Sequence, residues 1–98
     1  MDCNAVRFTR HAFERMFERS VMPEAVVRII RKGEIIASYV DDQPIPSVLI
    51  LGFERDEPLH LVVARDPASG TCFVVTVTTP GLVSPVLQIT HFISVASF

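Results

Sequence analysis

The sequence has no tryptophan, only four glycines and seven prolines among its 98 residues, and no Asp, Glu, Lys or Arg after Asp66. So little glycine and proline excludes a collagen-like or low-complexity chain. No run reaches 18 apolar residues, so no membrane-spanning helix is predicted. The first residues carry charge and lack the apolar stretch of a secretory signal. We therefore expect a cytoplasmic globular protein that does not enter a membrane.

Cysteine is also scarce, since Cys3 and Cys72 are the only two. They lie far apart, form no C-x-x-C pair and accompany three scattered histidines, so neither a zinc signature nor a disulfide framework is expected. The acidic cluster in residues 54–57 alternates with an arginine on a loop, which favours a solvated hairpin over a metal site. We expect no metal and no cofactor.

What the chain does contain is apolar, at 49% of its residues, and its charge is unevenly distributed. The net charge of −2 combines +3 over residues 1–32 with −5 over residues 33–98. The length suits a single domain over residues 1–98. Within it the patterns predict a helical part at 1–33, a sheet at 34–79 and an apolar tail at 80–98.

Two helices are predicted in the first third of the chain. The first covers Phe8–Arg19, where apolar residues recur every four positions and Thr9 is a suitable N-cap. The second starts at Pro23, a residue preferred in the first turn. It ends at Gly33, which we expect at the C′ position with a positive φ.

After these helices the apolar period changes from 3.6 to 2, which is typical of strands. The predicted strands are Ile35–Val40, Ser47–Phe53, Leu59–Ala64 and Thr71–Thr78. Their order and short connections predict an α+β fold, with two N-terminal helices on one face of an antiparallel four- to five-stranded sheet. Residues 80–98 are predicted as a fifth strand, with a strand lent to a partner or an apolar tail as alternatives.

The tail has a further expected role. Two central strands read as almost continuously apolar, which predicts burial on both faces of the sheet. Two short helices cover only one face. We therefore expect residues 82–98 to pack against the sheet, either within their own protomer or across a homodimer.

Titratable residues recur on the first helix. His11, Arg15 and Arg19 follow each other at four-residue spacing and so share one stripe. Histidine titrates near neutrality and suits acid–base work, whereas the arginine fork matches phosphate oxygens. His60 is expected on one strand face with Val62 and Ala64. Spacing leaves open whether it meets the helical stripe.

Each of these residues also has a purely structural interpretation. Arg15 and Arg19 could form surface ion pairs with nearby carboxylates, and Arg10 with Glu14 is an ordinary i,i+4 pair. A histidine in a strand, such as His60, is more often a hydrogen-bonded core residue than a catalyst.

Five sequence blocks are similar to one known family, and they keep their order and spacing over about three quarters of the chain. They are Thr9-Arg-His-Ala-Phe-Glu-Arg15-Met, Gly33-Glu-Ile-Ile, Pro46-Ser-Val-Leu-Ile-Leu-Gly52, Pro58-Leu-His60-Leu-Val-Val and Val74-Val-Thr76-Val. They resemble the domain-of-unknown-function 4258 family of bacteria, which looks like a distant branch of the RelE/ParE-type toxin fold. Relatives of that fold cleave mRNA without a metal or poison another target, and an antitoxin neutralises them.

Metal-free RNA cleavage of this kind needs a base, an acid and cations for the phosphate. The candidate catalytic set is therefore His11, Arg15, His60 and Thr76, with Arg10 and Arg19 binding substrate. Thr76 is expected on the same strand face as Cys72 and Val74. One departure stands out, because Thr78 occupies the position where family members usually carry a tyrosine.

The leading hypothesis is therefore a metal-independent endoribonuclease, or a degenerate relative of one, from a toxin–antitoxin pair. Its partners would be an RNA substrate and an antitoxin protein. The alternative is a non-catalytic module that keeps the fold and binds a protein. The histidine and arginine set favours the nuclease, and the missing tyrosine favours the module.

Overall fold

The structure is a computed structural model that describes residues 1–80 of the chain. Its elements in chain order are β1 (Ala5–Phe8), α1 (Arg10–Glu18), α2 (Pro23–Lys32), β2 (Glu34–Tyr39), β3 (Ser47–Glu54), β4 (Glu57–Arg65) and β5 (Thr71–Thr78). The four predicted strands are confirmed, each within two residues at either end. Two predictions fall on residues 81–98 and so lie outside the described part: the possible fifth strand in residues 80–98, and the packing of residues 82–98 against the sheet within one protomer or across a homodimer.

The five strands form one mixed sheet in the order β1-β5-β4-β3-β2. Strands β2 to β5 make the predicted antiparallel meander. Strand β1, however, pairs parallel with β5, so the expectation of a purely antiparallel sheet was wrong. β1 has only four residues, which are too few for the alternation of apolar and polar side chains to predict a strand. Because Phe8 belongs to β1, the first helix starts at Arg10 rather than at Phe8.

Both helices pack on the same face of the sheet, as predicted. We call this the helix face. Met16 of α1 and Ile29 of α2 are buried there against alternate residues of the central strands. Those strand residues are Ile50, Leu59, Leu61, Val63, Cys72, Val74 and Val77. The opposite face, which we call the second face, has its own buried cluster of Leu49, Val62, Ala64 and Val75.

Gly33 ends α2, but with a φ of −70° rather than the positive φ expected from its C′ position. Its lack of a side chain matters for a different reason. A Cβ at this position would lie 2.5 Å from the Ile29 carbonyl oxygen and 2.6 Å from Ile50 Cγ2. Glycine is therefore required by the close approach of α2 to β3 and not by backbone conformation.

Cys3 and Cys72 form a disulfide, with their Cα atoms 5.6 Å apart, so the prediction of no disulfide was wrong. The cause is the unpredicted strand β1. Its parallel pairing places Val6 opposite Cys72, and Cys3 lies just before that strand. A separation of 69 residues in sequence gives no sign of this proximity.

Candidate functional site

A β-bulge in β5 determines which side chains face each other at the candidate site. Val62 pairs with Thr76, but Val63 pairs with Val74, so Val75 is an extra residue in β5. The bulge reverses the alternation, and Thr76 lies on the second face instead of the helix face with Cys72 and Val74. The prediction that these three side chains share one face was therefore wrong.

Thr9 attaches the start of α1 to this bulge. Its backbone N–H donates to the Val74 carbonyl oxygen at 3.1 Å, and its Oγ1 donates to the Val75 carbonyl oxygen at 2.9 Å. The same Oγ1 accepts from the Ala12 N–H at 3.1 Å, which confirms Thr9 as the N-cap of α1. One side chain thus caps the helix and ties it to β5.

This attachment places His11 beside the bulged strand. His11 Nε2 lies 3.0 Å from Thr76 Oγ1, which is hydrogen-bonding distance. Within the part that the structure describes, β1 pairs with β5 only from Thr71 to Val74, so this contact lies beside the stretch of β5 that β1 leaves unpaired. The hydroxyl of Thr76 is buried and the imidazole is half-buried. The contact holds the ring in one orientation while part of it stays accessible.

His60 of β4 also lies on the second face. It pairs with Thr78, two positions along β5 from Thr76, and shares a face with Val62 and Ala64 as predicted. His60 is 5% exposed. Burial lowers the pKa of the imidazole, because removal from water disfavours the charged form. The ring is therefore held in its neutral form and takes up a proton less readily than an imidazole in water.

The predicted arginines continue from His11 along α1. Arg15 Nη1 lies 3.2 Å from Glu18 Oε2, and Arg19 Nη1 lies 3.9 Å from the same oxygen. Two cations thus share one carboxylate, which leaves an excess of positive charge. The Nε of Arg19 is buried and has no hydrogen-bond partner among residues 1–80. The side chain of Arg10, by contrast, is 94% exposed and pairs with Glu14, which is an ordinary surface interaction.

Arg19 also lines a cavity of about 440 Å³ at the end of α1. The cavity carries both signs of charge, from Arg19 and Arg55 on one hand and from Glu54 and Glu57 on the other. Thr79 and Leu59 also line the cavity, so it adjoins the strand ends that carry Thr78 and His60. The stripe from His11 to Arg19 therefore begins beside Thr76 and ends at this cavity.

The metal site that the sequence analysis considered is not formed by the described residues. Among residues 1–80, no three His, Cys, Asp or Glu side chains lie close enough together to hold a metal ion. Glu54 of the acidic hairpin instead accepts a hydrogen bond from Arg28 at 3.0 Å. Within the same range, both helices are too short to cross a bilayer.

A separate feature of α1 is an exposed pair of aromatic rings. Phe17 is 88% exposed and Phe13 is 52% exposed. Together with Glu14 and Glu18 they line a shallow groove. Sequence periodicity placed both rings on one apolar stripe but could not show that the stripe faces away from the core.

Sequence reasoning named six site residues, and the structure brings His11 together with Thr76. The six are Arg10, His11, Arg15, Arg19, His60 and Thr76. Sequence reasoning did not identify Thr9 as the residue that attaches α1 to β5. The sequence signal for Thr9 was its capping position, whereas its bonds to β5 depend on the bulge at Val75.

Comparison with known proteins gives one match. The family model described as Domain of unknown function (DUF4258) matches residues 8–79, from the end of β1 to just beyond β5. Neither the curated proteins nor the solved structures contain a match. The matched range includes all six site residues named from the sequence and confirms the predicted family, while the relation to the RelE/ParE toxin fold stays a prediction.

Proposed function

We propose that this chain, which belongs to the DUF4258 family, is a metal-independent endoribonuclease and the toxin of a toxin–antitoxin pair. The observation that carries the proposal is the 3.0 Å contact between His11 Nε2 and Thr76 Oγ1. A half-buried imidazole with a buried hydroxyl partner combines access to substrate with a fixed ring orientation. Those are the requirements for a general base.

The proposed reaction is attack of a ribose 2′-oxygen on the adjacent phosphorus. His11 Nε2–H donates to Thr76 Oγ1, which leaves the Nδ1 lone pair free to take the 2′-hydroxyl proton. The 2′-oxygen forms a bond to phosphorus, and the bond from phosphorus to the 5′-oxygen breaks. The leaving 5′-oxygen keeps the electron pair and takes a proton from water. The products end in a 2′,3′-cyclic phosphate and a 5′-hydroxyl.

The arginines on the same stripe supply the positive charge that this step needs. The transition state carries more negative charge on the phosphoryl oxygens than the substrate does, and fixed cations stabilise that change. Arg15 and Arg19 share a single carboxylate, so each can turn a guanidinium N–H toward a phosphate. Arg10, at the start of the helix, contacts the RNA backbone beyond the cleaved bond.

His60 has a supporting role in this proposal. Burial keeps its imidazole neutral at pH 7, so it does not protonate the leaving oxygen. It lies beside Thr78, the residue at the tyrosine position of the family pattern. Its proposed role is to orient the side-chain hydroxyls of Thr76 and Thr78.

An RNA target implies action in the cytoplasm, where most protein thiols are kept reduced. The Cys3–Cys72 disulfide would then be open during catalysis. Cleavage is therefore to be measured both with and without a thiol reductant.

The test is cleavage of a labelled RNA by purified protein in the presence of EDTA. The wild type is expected to cut it and to leave 2′,3′-cyclic phosphate ends. His11→Ala should reduce the rate by about 10²–10⁴-fold, the usual contribution of general base catalysis. Arg15→Ala should also reduce it, whereas Arg55→Glu on the acidic hairpin is the matched control and should not. A wild type that cuts no RNA at high protein concentration contradicts the proposal.

The second candidate is a non-catalytic module that binds a protein. It is favoured by the exposed aromatic pair on α1, since Phe17 is 88% exposed. Large exposed aromatic rings are the residues that most often anchor protein interfaces. The threonine at position 78, where the family pattern has tyrosine, also favours this alternative.

Binding of the protein encoded by the adjacent reading frame distinguishes the two candidate functions. If the chain is only a binding module, that product co-purifies with the wild type, Phe17→Glu abolishes co-purification, and neither form cuts RNA. Met22, also exposed but outside the aromatic groove, provides the control substitution Met22→Glu. RNA cleavage by the free wild type, suppressed when the product is bound, instead supports the toxin.

A further inference from the structure

A cavity of about 210 Å³ lies between the second face of the sheet and the loop that joins β2 to β3. Every residue that lines it belongs to the described part of the chain. Val62 and Val75 of the sheet are buried, whereas Gln43 and Pro44 of the loop are exposed. The cavity therefore has its base on the sheet and opens to solvent beside the loop.

The lining is mostly apolar, and the cavity is large enough for a small molecule. Its apolar side chains come from the loop and from β4 and β5, and they are Ile45, Val62, Ala64, Phe73 and Val75. An apolar cavity of about 150 Å³ in a protein core holds benzene. A cavity of about 210 Å³ therefore has room for one aromatic ring with a short substituent.

Asp42 is the one charged residue in the lining. Its Oδ2 accepts a hydrogen bond from Ser47 Oγ at 2.5 Å, and Ser47, which also lines the cavity, is 5% exposed. This bond holds the carboxylate beside the cavity. Burial and, to a smaller extent, the negative charge of Asp42 raise the pKa of the Tyr39 hydroxyl, so the charge acts on its surroundings.

The charge of this carboxylate is not neutralised by the described part of the protein. Among residues 1–80, the ion pairs join other carboxylates to arginines, and none of them includes Asp42. A positively charged group on a ligand is therefore the partner that Asp42 lacks, and a hydrogen bond between opposite charges is among the stronger kinds.

We propose that the cavity binds a small apolar amine, with the apolar part of the ligand against Val62, Ala64 and Val75 and its ammonium group on the Asp42 carboxylate. The apolar lining favours a hydrocarbon body, and the single carboxylate favours a cation over a neutral or anionic molecule of the same shape. This binding is independent of whether the protein cleaves RNA.

The test is a titration of the ¹⁵N-labelled chain of 98 residues, followed by NMR, with three probes that share a phenylethyl group. Phenethylamine carries an ammonium group, 2-phenylethanol is neutral and 3-phenylpropionate is anionic. Phenethylamine should shift the amide signals of Val62, Ala64 and Val75. Its Kd should be at least about tenfold lower than the Kd of either other probe, because hydrogen bonds to charged groups are stronger than neutral ones.

Two variants test the role of the carboxylate. Asp42→Asn keeps the shape of the side chain and removes its charge, so it should weaken phenethylamine binding about tenfold and leave 2-phenylethanol binding unchanged. Asp41→Asn is the matched control, because Asp41 is an exposed neighbour that does not line the cavity, and this variant should bind phenethylamine as the wild type does.

Four results would overturn the proposal. The first is equal affinity of the wild type for phenethylamine and 2-phenylethanol, and the second is equal weakening of phenethylamine binding in the two variants. The third is a set of shifted amide signals that lies only outside the cavity lining. The fourth is the absence of any shifted signal at millimolar phenethylamine.

Discussion

Reduction of the Cys3–Cys72 disulfide is expected to lower the free energy of unfolding by about 4 kcal/mol. The two cysteines are 69 residues apart, so the bond closes a loop of that length in the unfolded chain. The chain-entropy relation for such a loop gives about 4 kcal/mol at 25 °C. In a domain of this size each kcal/mol shifts the melting temperature by roughly 4–8 °C. Reduction should therefore lower it by about 15–30 °C.

The measurement is urea unfolding of the wild type with and without reductant, compared with Cys3→Ala. Cys3 is the residue to replace, because Cys72 is fully buried and its replacement would also disturb the core. Reduced wild type and Cys3→Ala should unfold at the same urea concentration, well below the oxidised wild type. Hydrogen exchange should rise first in Ala5–Phe8, which pairs with β5 beside the disulfide. Equal stability of the oxidised and reduced wild type would refute the reasoning.

Two further outcomes follow from the site. Thr9→Val should lower the free energy of unfolding in urea by about 1–2 kcal/mol, because it removes both the cap of α1 and the hydrogen bond to the Val75 carbonyl oxygen. Thr9→Ser keeps the hydroxyl and should keep most of the stability. Equal losses in the two variants would show that the hydroxyl is not responsible. His60 takes up a proton less readily in the folded protein than in the unfolded one, so its contribution to stability is complete above pH 6.5 and is lost as the pH falls below that value. His60→Gln should flatten the fall in urea midpoint between pH 6.5 and 5, and an unchanged slope in that variant would contradict the assignment.

Much of the sheet could be predicted because its strands carry strong local patterns. Thr71–Thr78 is a continuous run rich in β-branched residues between a turn and a proline, and its predicted bounds match the structure. The cap at Thr9 and the start of α2 at Pro23 are equally local signals. Short-range chemistry alone determines such features.

The remaining features depend on contacts between distant parts of the chain. Strand β1 is only four residues long and is stabilised by its pairing with β5, so the parallel edge and the disulfide at Cys3 were both missed. The bulge at Val75 is likewise invisible in a uniform β-branched run, yet it decides that Thr76 lies on the second face. The sequence nominated His11 and Thr76 as site residues, and the bulge explains how their side chains come into contact.

The central proposal is that His11 is a catalytic base oriented by Thr76, and the rate of RNA cleavage by two Thr76 variants tests it most directly. Thr76→Val keeps the shape of the side chain but removes the hydroxyl, whereas Thr76→Ser keeps the hydroxyl. Loss of the one hydrogen bond between His11 and Thr76, worth about 1–1.5 kcal/mol, predicts a roughly tenfold lower rate in Thr76→Val. Thr76→Ser should keep the wild-type rate. Identical rates for the wild type and Thr76→Val would contradict the account.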